Sequence, residues 1–208
     1  MKHRKNIIKI AIDSPAAAGA GTLGKSISTH YNLLYLDTGK IYRIIAYIKL
    51  NKKKIKNLNL KDLKNKNLLS DEIGIEASLL AKDKSIRELV HSFQINFAYN
   101  PPKKFNGSCL DGRDITYKIV PDADFKFFIT ANLQTRTLRR YNELKKLNKK
   151  ITYKEVQKSI KKRDKSDFNR RISPLKKTKD SILINTSNLS KRACFLKIKK
   201  IIDRKLNI

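Results

Sequence analysis

Three short stretches place arginine beside a hydroxyl or a carboxylate. They are Thr38-Gly-x-x-Tyr42-Arg43, Asp111-Gly-Arg113-Asp114, and Arg163-Asp164-x-x-Asp167-x-x-Arg170, the last followed by Pro174-Leu175. A guanidinium offers a planar fork that matches phosphate oxygens two at a time, which a lysine ammonium cannot do. In the third stretch the i, i+4 and i+7 positions share one face if a helix persists to Arg170. A lone arginine of this kind is most often a surface ion pair of little energetic weight. Three such groups downstream of a phosphate-type loop are harder to dismiss in that way.

A fourth stretch precedes them. Ile7 to Ile12 is a β-branched apolar run too short for a helix, and it reads as a buried strand. Small residues follow: Ser14, Pro15, Ala16, Ala17, Ala18, Gly19, Ala20 and Gly21. A helix then starts at Thr22, with Leu23, Ile27 and His30 at helical spacing. Strand, small loop and helix form a phosphate cradle when backbone N–H groups and a helix N-terminus converge on an anion. The same geometry also makes a plain βα turn. Against the pattern G-x-x-x-x-G-K-[ST], Ser14 stands at the first glycine and Ala20 at the lysine. Gly21 follows, and Thr22 supplies the hydroxyl.

The elements that must position these groups alternate. Leu33–Leu36, Ser108–Asp111, Asp124–Thr130 and Ile182–Ile184 read as further buried strands. Between them lie helices with caps at Asp37 or Thr38, Ser70, Asp83, Asn132, Thr152 and Ser190. The helix after Asn132 carries Leu133, Leu138, Tyr141 and Leu144 on one face, and Arg136, Arg139 and Arg140 on the other. Alternation of this kind predicts an α/β fold on a parallel sheet. Ligands then sit at the carboxyl ends of the strands, where Asp13, Asp37, Asp111 and Thr130 fall.

The 208 residues suit one such domain with a small insertion. An apolar fraction of 40% excludes a disordered chain, and no apolar run reaches the length of a membrane span. Cys109 and Cys194 lack metal-ligand spacing and read as reduced, buried thiols of a cytosolic protein. The net charge is +30. Its lysines are spread along the chain, as at 51–66 and 145–162, which fits a solvated surface attractive to polyphosphates. A basic nucleic-acid-binding module is the competing reading of that charge, but the chain has no aromatic stacking motif to support it.

Taken together, IAIDSPAAAGAGTLGKS, LDTGKIYR, EIGIEAS, LDGRDI, RTLRRYNEL, RDKSDFNRR and SPL resemble the bacterial cytidylate kinases, in that family's order. The resemblance implies a P-loop kinase-like three-layer fold with a central parallel sheet, a shortened NMP-binding insert over 49–98 and a helical lid over 139–170, all within one domain, 1–208. It implies transfer of the ATP γ-phosphoryl group to CMP or dCMP. Residues 14–22 would cradle ATP, and Thr22 would meet Mg²⁺ directly or through water, with Asp111 nearby. Ser78, Arg87 and Asp114 would read cytosine. Arg43, Arg113 and Arg163 would hold the acceptor phosphate and carry catalysis. Asp167 and Arg170 would meet the sugar, and Thr38 would lie beside the acceptor. Small nucleotides would be the partners of a cytoplasmic monomer, with no membrane or specific nucleic acid. His3, His30 and His91 are expected to be structural or exposed.

Two departures from that pattern matter. Ala20 removes a charge from the donor phosphates, and loss of one such preorganised donor costs on the order of 10²–10³ in rate. A nucleotide-binding relative with weak or no kinase activity is the reading this favours. Lys25, or a lysine or arginine of the lid, is the expected substitute, although Lys25 should point away from the phosphates. The second departure is length. Arg43 and Ser78 are only 35 positions apart, and 49–69 has no strand pattern, so the acceptor subdomain should be reduced to helices.

Overall fold

In the computed structural model, residues 7–51, 68, 71–146 and 150–208 are described. Five parallel strands form one sheet of order β2-β3-β1-β4-β5. They are β1 (Ile8–Asp13), β2 (Leu33–Asp37), β3 (Gly107–Gly112), β4 (Phe125–Thr130) and β5 (Ile182–Asn185). Seven α-helices are described: α1 (Ala20–Tyr31), α2 (Thr38–Leu50), α3 (Asp71–Leu80), α4 (Lys84–Tyr99), α5 (Leu133–Lys145), α6 (Tyr153–Asn169) and α7 (Lys191–Leu206).

The period of two along β1 decides the layers. Ile10 and Ile12 face α1 and α7, packing with Ile27, Phe127, Ile184, Ile198 and Ile202. Ala11 faces the opposite way, into a second core with Leu36, Ile41, Ile45, Val90, Phe97 and Leu110 from α2, α4 and the neighbouring strands. Both faces are covered, as an all-parallel sheet requires, so the three-layer α/β expectation holds. A third, small cluster joins α5 to α6 through Leu144, Val156 and Ile160, with Ala17 against it.

Four expected caps form. Asp83, Asn132, Thr152 and Ser190 each accept from the backbone N–H three residues on, and Thr152 and Glu155 complete a capping box. Asp37 is the N-cap residue of α2 but makes no side-chain cap bond. Ser70 and His3 lie outside the described residues, as does most of 49–69. His30 is exposed and stacks edge-on against Tyr31 and Phe195. His91 sits 3.4 Å from the Lys118 carbonyl oxygen.

Other expectations need correction. Helix α1 begins at Ala20, because Gly19 takes a left-handed φ of 97° and turns the chain there. On α5 the faces are reversed for two residues: Leu138 is 52% exposed and Arg136 is buried, because three oxygen acceptors surround the guanidinium. Ile182 and Leu183 are exposed, since β5 is an edge strand and only Ile184 turns inward. Helix α6 stops at Asn169, so Arg170 lies just past the helical face that was to carry it.

Candidate active site

The carboxyl ends of β1, β2 and β3 open into a cavity of about 1030 Å³. Loop 14–19 forms one wall. It is tied to β3 where Ser14 N–H donates to the Gly112 carbonyl at 3.2 Å. Ala17 also takes a left-handed φ of 59°, a conformation that costs a non-glycine residue about 1–2 kcal/mol. Its methyl packs on the α5–α6 cluster, which helps hold it there. The loop does not stand alone. Arg136 donates to the Ala16 carbonyl at 3.0 Å and to Asp164 at 2.6 Å, while Asp164 accepts from Ala16 N–H at 3.2 Å. Arg139 donates to the Ala18 carbonyl at 3.3 Å, the Thr186 hydroxyl at 2.9 Å and the Thr186 carbonyl at 2.8 Å.

Ser14, Pro15, Ala17, Ala18, Gly19, Ala20, Gly21 and Thr22 line the cavity, whereas Ala16 lies just behind its surface as the anchored residue. Thr22 is exposed. A side chain on Gly21 would place its Cβ 3.4 Å from Asp111 Oδ2, so the start of α1 sits directly over that carboxylate. Burial first, and then the charge of Asp37, hold Asp111 well above the usual carboxylate range. Two crowded carboxylates and a hydroxyl are hard oxygen donors. They suit Mg²⁺ carried with phosphate and water ligands, although no cluster of three or more His, Cys, Asp or Glu occurs among the described residues.

The opposite wall gathers the expected acceptor residues. Thr38 donates its hydroxyl to the Asp111 carbonyl at 2.7 Å, fixing the first turn of α2 against β3. Arg87 pairs with Asp114, donates to the Ala81 carbonyl at 2.9 Å and lies 5.9 Å from the centre of the Tyr42 ring. Ser78 lines the same wall and donates to the Ile75 carbonyl at 2.7 Å. Arg43 donates to the Leu68 carbonyl at 2.6 Å. It fits because Gly74 has no side chain: a Cβ there would lie 2.9 Å from its guanidinium.

Asp167 joins the walls. It accepts from Arg113 at 2.7 Å and lies 3.8 Å from Arg170 and 4.0 Å from Arg163. Burial opposes its charge, but Arg113 and Arg163 outweigh burial and hold Asp167 below the usual carboxylate range. Burial likewise opposes the Arg113 charge, but Asp167 more than offsets it and holds that guanidinium above its ordinary range. Arg163 differs. Crowding by the cavity walls and the Arg113 charge push it down to about 10, although 43% of its side chain stays open to the cavity. A group of guanidiniums that repel one another over an open cavity is prepared for an anion. Every expected site residue but Ala16 therefore lines this one cavity, and Lys25 does not.

Sequence reading did not assign Tyr42, Arg136, Asp164 or Thr186 to this region. It also missed the π-helical turn Ile115–Ile119 behind Asp114. That turn is held by Asp13, whose carboxylate accepts from Ile115 N–H at 2.8 Å, Thr116 N–H at 2.9 Å and the Thr116 hydroxyl at 2.6 Å.

The small-residue loop between β1 and α1 shares one cavity at the strand ends with Arg113 and Arg163. That layout, on this sheet, is the P-loop kinase fold. A family model described as cytidylate kinase matches residues 10–65 and 54–204. A cytidylate kinase from Bartonella henselae is 42% identical over 205 residues, covering 93% of this chain and 94% of the relative. One from Clostridium tetani is 37% identical and covers 94% of each chain, and one from Mesomycoplasma hyopneumoniae is 35% identical over 96% of this chain. The chain belongs to the cytidylate kinase family. A crystal structure of an uncharacterized protein from Eubacterium ventriosum superposes with a TM-score of 0.58 at 19% identity, over 95% of this chain and 99% of that one, and supports the fold.

Proposed function

We propose that this protein transfers the γ-phosphoryl group of ATP to CMP and dCMP, giving ADP and the pyrimidine diphosphate. It is an ATP-dependent phosphotransferase of the cytidylate kinase family. The observation that carries the particular substrate is the Arg87–Asp114 pair beside Arg43, Arg113 and Arg163 in a cavity shared with loop 14–22. Cytosine presents an amine donor next to acceptors on one edge, so one carboxylate and one guanidinium suffice to read it. Family membership and this acid–arginine arrangement do not favour a basic nucleic-acid module or an inactive nucleotide binder.

In this reading Asp114 accepts from the base amine, Arg87 donates to the ring acceptors, and Ser78 adds a hydroxyl. Arg43, Arg113 and Arg163 hold the acceptor phosphate in line with the donor and spread charge as it develops. Asp167 orients Arg113, and with Arg170 it faces the sugar; Thr38 bounds the acceptor. Backbone N–H groups of 14–22 bind the donor phosphates. When bound, Mg²⁺ would neutralise charge on the phosphates, with Thr22 as its protein hydroxyl and Asp111 behind. The segment 49–98 serves as the acceptor-binding insert and 139–170 as the lid that excludes water. The protein acts as a monomer in the cytoplasm; among the described residues no helix is long and apolar enough to cross a membrane.

The test is coupled ADP formation with ATP and Mg²⁺ and each of CMP, dCMP, UMP and AMP. ADP formation with CMP and dCMP, well above UMP and AMP, is expected. Phosphate release from ATP with no dependence on CMP would overturn the proposal.

A further inference from the structure

We propose that Lys40, in the first turn of α2, places on the ATP phosphates the positive charge that Ala20 lacks. The inference rests on the kinase reading above and names the residue that lets this chain carry it out.

Ala20 is the first residue of α1, 5% exposed, and offers only a methyl group to the cavity. Most guanidiniums around that cavity are committed. Arg87 is paired with Asp114, Arg113 with Asp167, and Arg140 with Glu143. Arg139 also lines the cavity, but three hydrogen bonds to the Ala18 carbonyl and to Thr186 hold its guanidinium against the loop backbone. Lys25 is exposed and outside the cavity.

Lys191, the first residue of α7, also lines the cavity but is exposed. Lys40 is half-buried and lines the cavity, and its side chain makes no hydrogen bond or ion pair with the described residues. Its place follows from the sheet. Asp37 is the register partner of Asp111, and Lys40 comes three residues after it. On the other side of Asp111 is Gly21, whose added Cβ would lie 3.4 Å from Asp111 Oδ2. The first turns of α1 and α2 therefore face one another across a single carboxylate. The Thr38 hydroxyl, 2.7 Å from the Asp111 carbonyl, keeps the α2 turn in that position. A four-carbon stem with a compact charge at its end can cross that gap to phosphates seated on loop 14–22. The charge arrives from the acceptor side of the loop, close to where the transferring group must be. A cation there stabilises charge that develops during transfer, so its loss falls on kcat.

The competing role for Lys40 is structural, as a counter-charge for Asp37 and Asp111. The two roles separate experimentally. ADP formation with ATP and CMP is measured for the natural protein, Lys40→Met, Lys25→Met, Ala20→Lys and Ala20→Lys/Lys40→Met, together with thermal unfolding of each. Lys40→Met should lower kcat on the order of 10²–10³, with smaller changes in both KM values and an unchanged unfolding midpoint. Lys25→Met should stay within about threefold of the natural protein. The double variant should recover at least about tenfold over Lys40→Met, because the charge returns from the loop. Lys40→Met active within about threefold of the natural protein would overturn the inference and leave the kinase reading intact. So would a loss of activity that follows a loss of stability and is not rescued by Ala20→Lys. A natural protein that forms no CMP-dependent ADP would overturn both.

Discussion

Arg136 and Asp164 hold the backbone of Ala16 from both sides. The guanidinium donates to its carbonyl at 3.0 Å, the carboxylate accepts from its N–H at 3.2 Å, and the two side chains meet at 2.6 Å. Arg136 comes from α5 and Asp164 from α6, so the position of the phosphate loop depends on the docking of both helices. The neighbours of Asp164 extend the coupling: Arg163 faces the acceptor arginines, and Asp167, one turn on, grips Arg113. One stretch of α6 thus contacts both substrate walls.

Asp164→Asn tests this coupling. The charge of a nearly buried Arg136 loses its partner, and breaking such a pair costs about 3–5 kcal/mol. Urea unfolding should show a loss of that order. The loop also loses its fixed seat, so the KM for ATP should rise more than the KM for CMP. An unchanged ATP KM in a well-folded variant would show that the loop holds its shape without the clamp.

Asp167→Asn should act on the other wall. Three arginines surround Asp167, and their charges hold its carboxylate ionised against burial. Without that charge, Arg113 loses its 2.7 Å partner and its orientation. Misplacement of a reacting group by about 1 Å costs on the order of 10²-fold, so kcat/KM for CMP should fall by about that factor. Steady-state kinetics with CMP varied at saturating ATP measures it, and a change confined to the KM for ATP would contradict the assignment.

The two clamps show which features a sequence displays. Local features were legible: the apolar strands, the caps at Asp83, Asn132, Thr152 and Ser190, and the arginine stretches with their fixed spacing. Each depends on residues within a turn or a strand of one another. The Arg136–Asp164 clamp and the Asp13 contacts that bend Ile115–Ile119 into a π-turn join residues far apart in the chain. Arg136 read only as one of three arginines opposite the apolar face, because periodicity along α5 says nothing about acceptors brought in by loop 14–19 and α6. Ile182 and Leu183 misled in the opposite way: an apolar run at a sheet edge has the composition of a central strand without its burial. Lys40 stood in plain view inside LDTGKIYR. Only strand register brings the start of its helix beside Asp111, over which Gly21 also sits.

Gly74→Ala separates stability from function. Alanine inside a helix is favoured over glycine by about 0.5–1 kcal/mol, so α3 gains intrinsic preference. The new Cβ would meet the Arg43 guanidinium at 2.9 Å, and that flexible end must move. Thermal stability should hold or rise slightly, while the KM for CMP increases several-fold, about what one displaced phosphate contact predicts. An unchanged CMP KM would place Arg43 outside the acceptor contacts.

Asp13 makes the fold sensitive to pH below neutrality. Burial pushes its carboxyl from an ordinary value of 3.8 up to about 6, although hydrogen bonds from Thr116 and Ile115 oppose the shift. A raised acid pKa means that the folded state binds the proton more tightly than the unfolded chain. The Asp13 contribution is therefore most favourable below about pH 4 and is lost as pH rises through about 6, a swing of roughly 3 kcal/mol. Asp13→Asn cannot titrate. It should be less stable in absolute terms, because one of three donors loses its acceptor at a cost of about 1–3 kcal/mol. The informative quantity is the difference in unfolding free energy between the natural protein and Asp13→Asn, measured by urea titration from pH 4 to 7. The advantage of the natural protein should shrink as pH rises through this window. A difference that stays constant would mean that Asp13 is ionised throughout, with its three hydrogen bonds outweighing burial.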